Sequence, residues 1–125
     1  MLSYQEIINK IDQLEEANIL ISALELRIFS ILGNKSMSAK KISIGAKTQL
    51  DGTVILLNAL SSMGSLIKHN DKYKNTQVTY KYFCESSLHY KKGTVMLKKE
   101  NRYEYEHLVN IVKKGRDLKG FDSKD

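Results

Sequence analysis

The sequence predicts a mostly α-helical domain built on a winged helix-turn-helix, with extra helices at both ends. Three observations predict it: an ordered series of helical hydrophobic periods with stop signals, a strand-turn-strand pattern around Asn70-Asp71, and a composition that supports one ordinary core. At 125 residues, 42% apolar and 27% charged, the chain is long enough for one domain and too short for two of full size. About two thirds of the unfolded surface can be buried at this length, so no covalent staple is required. The single cysteine, Cys84, cannot form an internal disulfide, which excludes the disulfide-framework class of secreted domains. The longest charge-free run, Gly52 to Ile67, has 16 residues and contains Asn58, Ser61, Ser62 and Ser65, too short and too polar to span a bilayer. Met1-Leu-Ser-Tyr-Gln-Glu6 has neither the basic start nor the apolar run of a signal peptide. The expectation is a cytoplasmic protein without a membrane partner.

Tyr4, Ile7, Ile8, Ile11 and Leu14 recur at helical spacing, and Ser3 with Glu6 forms a capping-box pattern before them. From Ala17 to Leu32, eleven of sixteen residues are apolar, with a narrow polar stripe at Asn18, Ser22 and Glu25. A helix apolar around most of its circumference must be covered on more than one side. Either it is the central helix of a compact monomer or a partner subunit covers it; the periodicity leaves both open. Gly33 stands where a helix C-cap is expected. Ser36 or Ser38 then opens a short helix through Lys40, Lys41, Ile42 and Ile44, closed by Gly45. Thr48 is the expected cap of a third helix, Gln49 to Met63, stopped by Gly64, with Leu50, Val54, Leu56, Leu57, Leu60 and Met63 as its buried face. Leu66-Ile67-Lys68-His69 and Lys72-Tyr73-Lys74-Asn75 flank Asn70-Asp71 as a hairpin. Long helix, short helix, tight turn, third helix and hairpin, in that order, make a winged helix-turn-helix. Thr76 caps Gln77 to Phe83, Tyr90 to Lys99 is helical, and Tyr103 to Lys114 carries Leu108, Ile111 and Val112 ahead of Gly115. The domain is expected over residues 1–119, with 120–125 as a frayed tail.

Charge bears on the function classes. The net charge is +6. From Met1 to Ser62 six basic residues balance six acids, and from Met63 to Asp125 fourteen basic residues face eight acids. The excess therefore lies in the second half, and a nucleic-acid surface would have to be there. In a winged-helix regulator the third helix enters the major groove. Here it offers Asp51, Asn58, Ser62 and Ser65 and has no Lys or Arg from Thr48 to Leu66, which makes a poor reader of a phosphate-lined groove. Asn58, Lys68, Lys72 and Lys74 are the contacts to expect if the chain were a DNA-binding regulator. That is the rival reading, with nucleic acid otherwise not expected as a partner.

Four blocks together resemble the N-terminal dimerisation domain of S-adenosylmethionine-dependent O-methyltransferases, the plant type and its bacterial small-molecule relatives. They are Ala23-Leu-Glu-Leu-Arg-Ile-Phe-Ser-Ile-Leu32, Ser38-Ala-Lys-Lys-Ile-Ser43, Leu56-Leu-Asn-Ala-Leu-Ser-Ser-Met-Gly-Ser-Leu66 and Tyr73-Lys-Asn-Thr-Gln-Val-Thr-Tyr-Lys-Tyr-Phe83. Two departures stand out: Arg27 where a glycine is usual, and Lys40-Lys41 at a commonly acidic position; both are expected on helix surfaces. The resemblance implies a homodimer with N-terminal helices intertwined across a two-fold axis. Ile7, Ile11, Leu14, Ile19, Ile21, Leu24, Ile28, Leu108 and Ile111 are then the candidate interface residues. It also implies that the domain covers a substrate pocket, with Tyr4, Ile8 and Ile11 as the candidate lid, for a small-molecule substrate that these residues do not define. The methyl donor S-adenosylmethionine would belong to the parent enzyme's catalytic domain, which is not expected within these residues. No glycine-rich loop follows a predicted strand, and the glycines at 33, 45, 52, 64, 93, 115 and 120 include no close pair.

Chemistry within the chain itself is thin. Cys84 and His89 stand five apart, but His69 and His107 belong to other elements, so a zinc ligand set is not expected. Cys84 with either neighbouring histidine carries no nucleophile signature. Glu104 and Glu106, at i and i+2 on a helix, diverge and do not form a paired-carboxylate site. The chain is expected to be non-catalytic on its own.

Overall fold

The structure, a computed structural model, describes residues 1–115. The expected domain end at 119 and the tail 120–125 lie outside the described residues, as do the side chains of Glu104 and Glu106. In chain order the elements are α1 (Tyr4–Glu25), α2 (Ile28–Leu32), β1 (Met37–Ser38), α3 (Ala39–Ala46), α4 (Leu50–Ser62), β2 (Leu66–His69), β3 (Lys72–Asn75), α5 (Gln77–Phe83), α6 (Lys92–Glu106) and α7 (Leu108–Lys114). The fold is mostly helical with one small antiparallel sheet of order β1-β3-β2, in which Met37 faces Tyr73 and Leu66 faces Asn75. The run from α2 to β3 has winged-helix topology. Asn70 and Asp71 turn the wing with φ of 49° and 60°, the paired left-handed conformation of a two-residue hairpin turn.

The first helix is one continuous rod of 22 residues, with no boundary near Leu14 to Ala17. Ser3 caps it as expected, its hydroxyl accepting from the Glu6 amide while Glu6 reaches back. The chain breaks later, at Leu26-Arg27, where Arg27 takes φ 59°, ψ 32°. Arg27 is therefore not on a helix surface: it holds the left-handed turn itself, the conformation a glycine adopts without cost. Gly33, at φ 56° and ψ −129°, ends α2 in a region closed to other residues. Gly45 does not close α3; it lies inside it. A Cβ there would stand 3.2 Å from Ile31 Cγ2, so glycine lets α2 and α3 approach. Lys47, with φ 58°, ends that helix instead. Gln49, not Thr48, is the N-cap of α4, and it gives no side-chain bond. The Thr48 hydroxyl meets that of buried Thr53 at 2.6 Å, and Thr53 donates to the Gln49 carbonyl. Leu50, expected on the buried face of α4, is exposed, and Thr53 takes that place. The C-terminal helices divide at His107, later than the expected break.

Ala23, Ile28, Phe29, Leu32, Ile42, Leu57, Leu60, Leu66 and Tyr73 form the core, and Phe29 also meets Phe83 at 5.6 Å between ring centroids. Burial of side chains this size contributes roughly 1.5–3 kcal/mol each. Ile28 was expected at the dimer interface, but at 1% exposure it is filled in by its own chain. The break at Arg27 swings α2 under α1 and turns Ile28 inward.

One polar side chain ties this core together. Buried Asn75, the last residue of the wing, donates through Nδ2 to the Phe29 carbonyl at 2.9 Å and the Gly33 carbonyl at 2.8 Å. Its Oδ1 accepts from the Thr79 hydroxyl at 3.1 Å. Asn75→Ala should cost about 2–3 kcal/mol in urea unfolding, because the Gly33 carbonyl loses its donor, the Phe29 carbonyl keeps only the Gly33 amide, and the Thr79 hydroxyl loses an acceptor. Asn75→Asp should cost more, since a carboxylate would face those carbonyl oxygens.

Candidate functional site

Helix α1 has two unlike halves. Its C-terminal half carries Ala23 in the core, with Ile19, Leu20 and Leu24 packed against it. Residues 4–17 are exposed except for half-buried Ile8. Along that exposed stretch Tyr4, Ile7, Ile11 and Leu14 follow a 3-4-3 spacing, and Asn18 and Ile21 continue it. This is the seam pattern of a helix that expects another helix beside it. Ile11 and Leu14 are 61% and 60% exposed.

The seam leads into a hollow of about 660 Å³ between α1 and α6, lined by Leu14, Ala17, Asn18, Ile21, Thr94 and Val95 among others. Its walls are overwhelmingly apolar, with Lys98 at the rim. Ile7, Ile11 and Leu14 are thus on an open face, Ile19 packs on the core, and Ile21 and Leu24 are half-buried on the hollow. Leu108 is exposed and Ile111 half-buried on α7. Of the lid candidates, Tyr4 and Ile11 are open and Ile8 is partly covered.

A second hollow, about 420 Å³, shares Leu24, Phe29, Phe83 and Val95 with the first and adds Arg27, Glu85, Tyr90, Lys92, Met96 and Lys99. Arg27 Nε donates to Glu85 Oε2 at 2.7 Å, and the Glu85 amide donates to the Ser30 hydroxyl at 3.0 Å. The Arg27 guanidinium, and after it the Ser30 hydroxyl, hold the Glu85 carboxyl below its ordinary value. Burial, with the nearby Glu85 charge, pushes the Tyr90 phenol up. Nothing in the sequence pairs residues 27 and 85; their meeting depends on α5 packing on α2.

The wing is arranged differently from a base reader. Asn58 Oδ1 accepts from the Tyr73 hydroxyl at 2.6 Å and from Lys68 Nζ at 3.1 Å, and the Lys68 ammonium lies 5.4 Å from the Tyr73 ring centroid. Two of the four candidate DNA contacts are thus engaged with each other, while Lys72 and Lys74 are exposed. The fold also regroups the charge. Residues 28–76 hold seven lysines (35, 40, 41, 47, 68, 72, 74) against Asp51 and Asp71, while α1 holds Glu6, Asp12, Glu15, Glu16 and Glu25 against Lys10. A split into sequence halves hides this segregation.

Cys84 is buried, with Sγ 3.2 Å from the Ser86 hydroxyl, and His89 is exposed. Among the described residues no group of three His, Cys, Asp or Glu side chains could hold a metal ion. Among them, too, no helix is long and apolar enough to cross a membrane.

The family model of the O-methyltransferase dimerisation domain matches residues 6–84. Among solved structures, the chain is similar to an O-methyltransferase family protein from Burkholderia thailandensis, at 22% identity and TM-score 0.77, over 90% of this chain and 33% of that one. It is similar to human N-acetylserotonin methyltransferase in complex with SAM, at 21% identity and TM-score 0.74, over 92% and 35%. It is also similar to N,N-8-amino-8-demethyl-D-riboflavin dimethyltransferase from Streptomyces davawensis, at 13% identity and TM-score 0.77, over 100% and 38%. The neighbours are methyltransferases, not transcription regulators, and at these identities the likeness is one of fold. The chain spans about a third of the length of these structures. No curated protein sequence matches it.

The Arg27–Glu85 pair makes a pH prediction. Glu85 has a folded-state pKa below its ordinary 4.5, so its stabilisation is present above that value and is lost as pH falls through the folded one. Glu85→Gln should flatten stability against pH in that acid window and leave the neutral-pH fold intact. The change should be small, because the pair is open to solvent. Urea midpoints at several acid pH values measure it.

Proposed function

The chain belongs to the O-methyltransferase dimerisation-domain family, and from that premise we propose that residues 1–119 are the non-catalytic module pairing two subunits of an S-adenosylmethionine-dependent O-methyltransferase. The observation that carries the reading is the exposed half of α1. A helix of this length is marginal alone in water, and a seam of Tyr4, Ile7, Ile11 and Leu14 facing solvent does not help it. A second copy resolves this. Its seam lies along the first one, and its apolar side chains fill the hollow between α1 and α6, so the N-terminal helices intertwine. Asn18, at a seam position, restricts register, as a polar residue in such a seam does. The interface is of the obligate kind, with roughly 2,000 Å² or more of total buried surface. Leu108 and Ile111 extend the contact on α7.

In the same reading Tyr4 and Ile11, with Ile8 behind them, lie where the arm reaches past its own core and covers the partner's substrate pocket. The methyl donor does not fit within the described residues. Each strand has at most four residues, none runs into a glycine-rich turn at a helix start, and so no cradle for a nucleoside is formed. The cofactor is therefore assigned to the enzyme's catalytic part, and no step of methyl transfer is derived from this chain.

Light scattering at micromolar concentration should give about twice 14.3 kDa. Ile11→Asp should give a folded monomer, because Ile11 is open in the single chain. Leu24→Asp, with its side chain packed on the core, should unfold instead. A wild-type monomer, or a dimer indifferent to Ile11→Asp, would overturn the proposal.

A further inference from the structure

The second hollow is not accounted for by pairing of the α1 seams. Its floor is apolar, from Phe29, Phe83, Val95 and Met96. Its rim carries three cations, Arg27, Lys92 and Lys99, against one carboxylate, Glu85. Glu85 is already bonded to Arg27, so two ammonium groups face the hollow without an ion pair among the described residues. The Arg27 backbone is a second observation. It holds φ 59°, a conformation costing a non-glycine residue roughly 1–2 kcal/mol, and a strained non-glycine residue at a cavity rim points to a use for its side chain. A surface ion pair alone is a weak reason to keep that strain.

We propose that this hollow binds a small organic acid with an apolar body, an aromatic or acyl carboxylate. The body lies against Phe83, Val95 and Met96, and the carboxylate sits between Lys92 and Lys99. Arg27 is a gated third donor, since Glu85 occupies it until displaced. Glu85 thus sets a threshold: it repels the incoming anion and competes for Arg27. The two hollows share Leu24, Phe29, Phe83 and Val95, but the charged rim of Arg27, Lys92 and Lys99, with Tyr90 and Met96, belongs to the second alone, so variants and signals at those residues test this site separately from the pairing of subunits.

The test is an NMR titration of the labelled chain with 1-naphthoate, compared with uncharged 1-naphthalenemethanol, at low ionic strength and neutral pH. Naphthoate should bind saturably and shift Tyr90, Met96 and Val95 signals. Lys92→Gln/Lys99→Gln should weaken it about fivefold, two surface charges being lost, with the alcohol unaffected. Glu85→Gln should tighten naphthoate binding, the opposite of what a merely structural Glu85 would give. Arg27→Gly, whose backbone fits the turn, should fold and bind naphthoate less well than wild type. Equal binding of acid and alcohol would overturn the proposal, as would shifts confined to Leu14 and Ile21 or lysine variants with wild-type affinity.

Discussion

The buried carboxamide of Asn75 is the constraint on which the rest of the fold depends. A helix as short as α2, five residues, leaves most of its carbonyls without intrahelical donors. The Gly33 carbonyl lies beside the core, where an unmet acceptor is costly, and the Phe29 carbonyl has the Gly33 amide as its donor within the helix. Asn75 donates to both from the end of the wing, and its own oxygen is met by Thr79 at the start of α5. One side chain thus fixes α2, the sheet and α5 relative to one another. Among the described residues no buried side-chain nitrogen or oxygen lacks a partner.

Once α2 is held there, the positions of the outer helices follow. Arg27 turns the chain sharply between α1 and α2, so α1 leaves the core as a straight rod rather than folding over it. Its first half projects with an apolar seam and an acidic opposite side. Phe83, at the end of α5, meets Phe29 and brings Glu85 to Arg27, and α6 then lies along α1 with both hollows at its sides. The apolar surface on α1 is therefore a consequence of how the core is closed.

Local chemistry was readable from residue types alone. Ser3 with Glu6, Gly33, Ser38, Asn70-Asp71 and Thr76 each stand where the structure uses them, because a cap or a turn is decided by a few neighbouring atoms. What depended on tertiary packing was not readable. Leu26-Arg27 contains no glycine or proline, so the main break in the chain has no signal of its own, and the mostly apolar stretch from Ala17 to Leu32 runs across it. β1 is two residues, Met37–Ser38, with no alternation to detect; it exists because Tyr73 and Lys72 lie opposite. By sequence Ile28 resembles its neighbours on the helix and is expected outward; only the break turns it in. The exposed seam was legible as periodicity, whereas its lack of cover was not, and the Arg27–Glu85 contact spans 58 positions.

The wing shows how a fold shared with groove readers can be turned to another use. In a reader, the side chains between the third helix and the hairpin are left free to meet bases. Here Tyr73 inserts its hydroxyl under Asn58, and Lys68 closes over both, so the polar groups nearest α4 satisfy one another. The lysines left exposed around α3 and the wing are flexible point charges without the planar fork of an arginine. The acids are gathered on α1 instead, with Glu6, Asp12 and Glu16 away from the apolar seam. The net negative charge of α1, five acids against Lys10, keeps its exposed apolar seam in solution. In the proposed pairing of two such arms the like charges oppose association, so the apolar seam has to carry it.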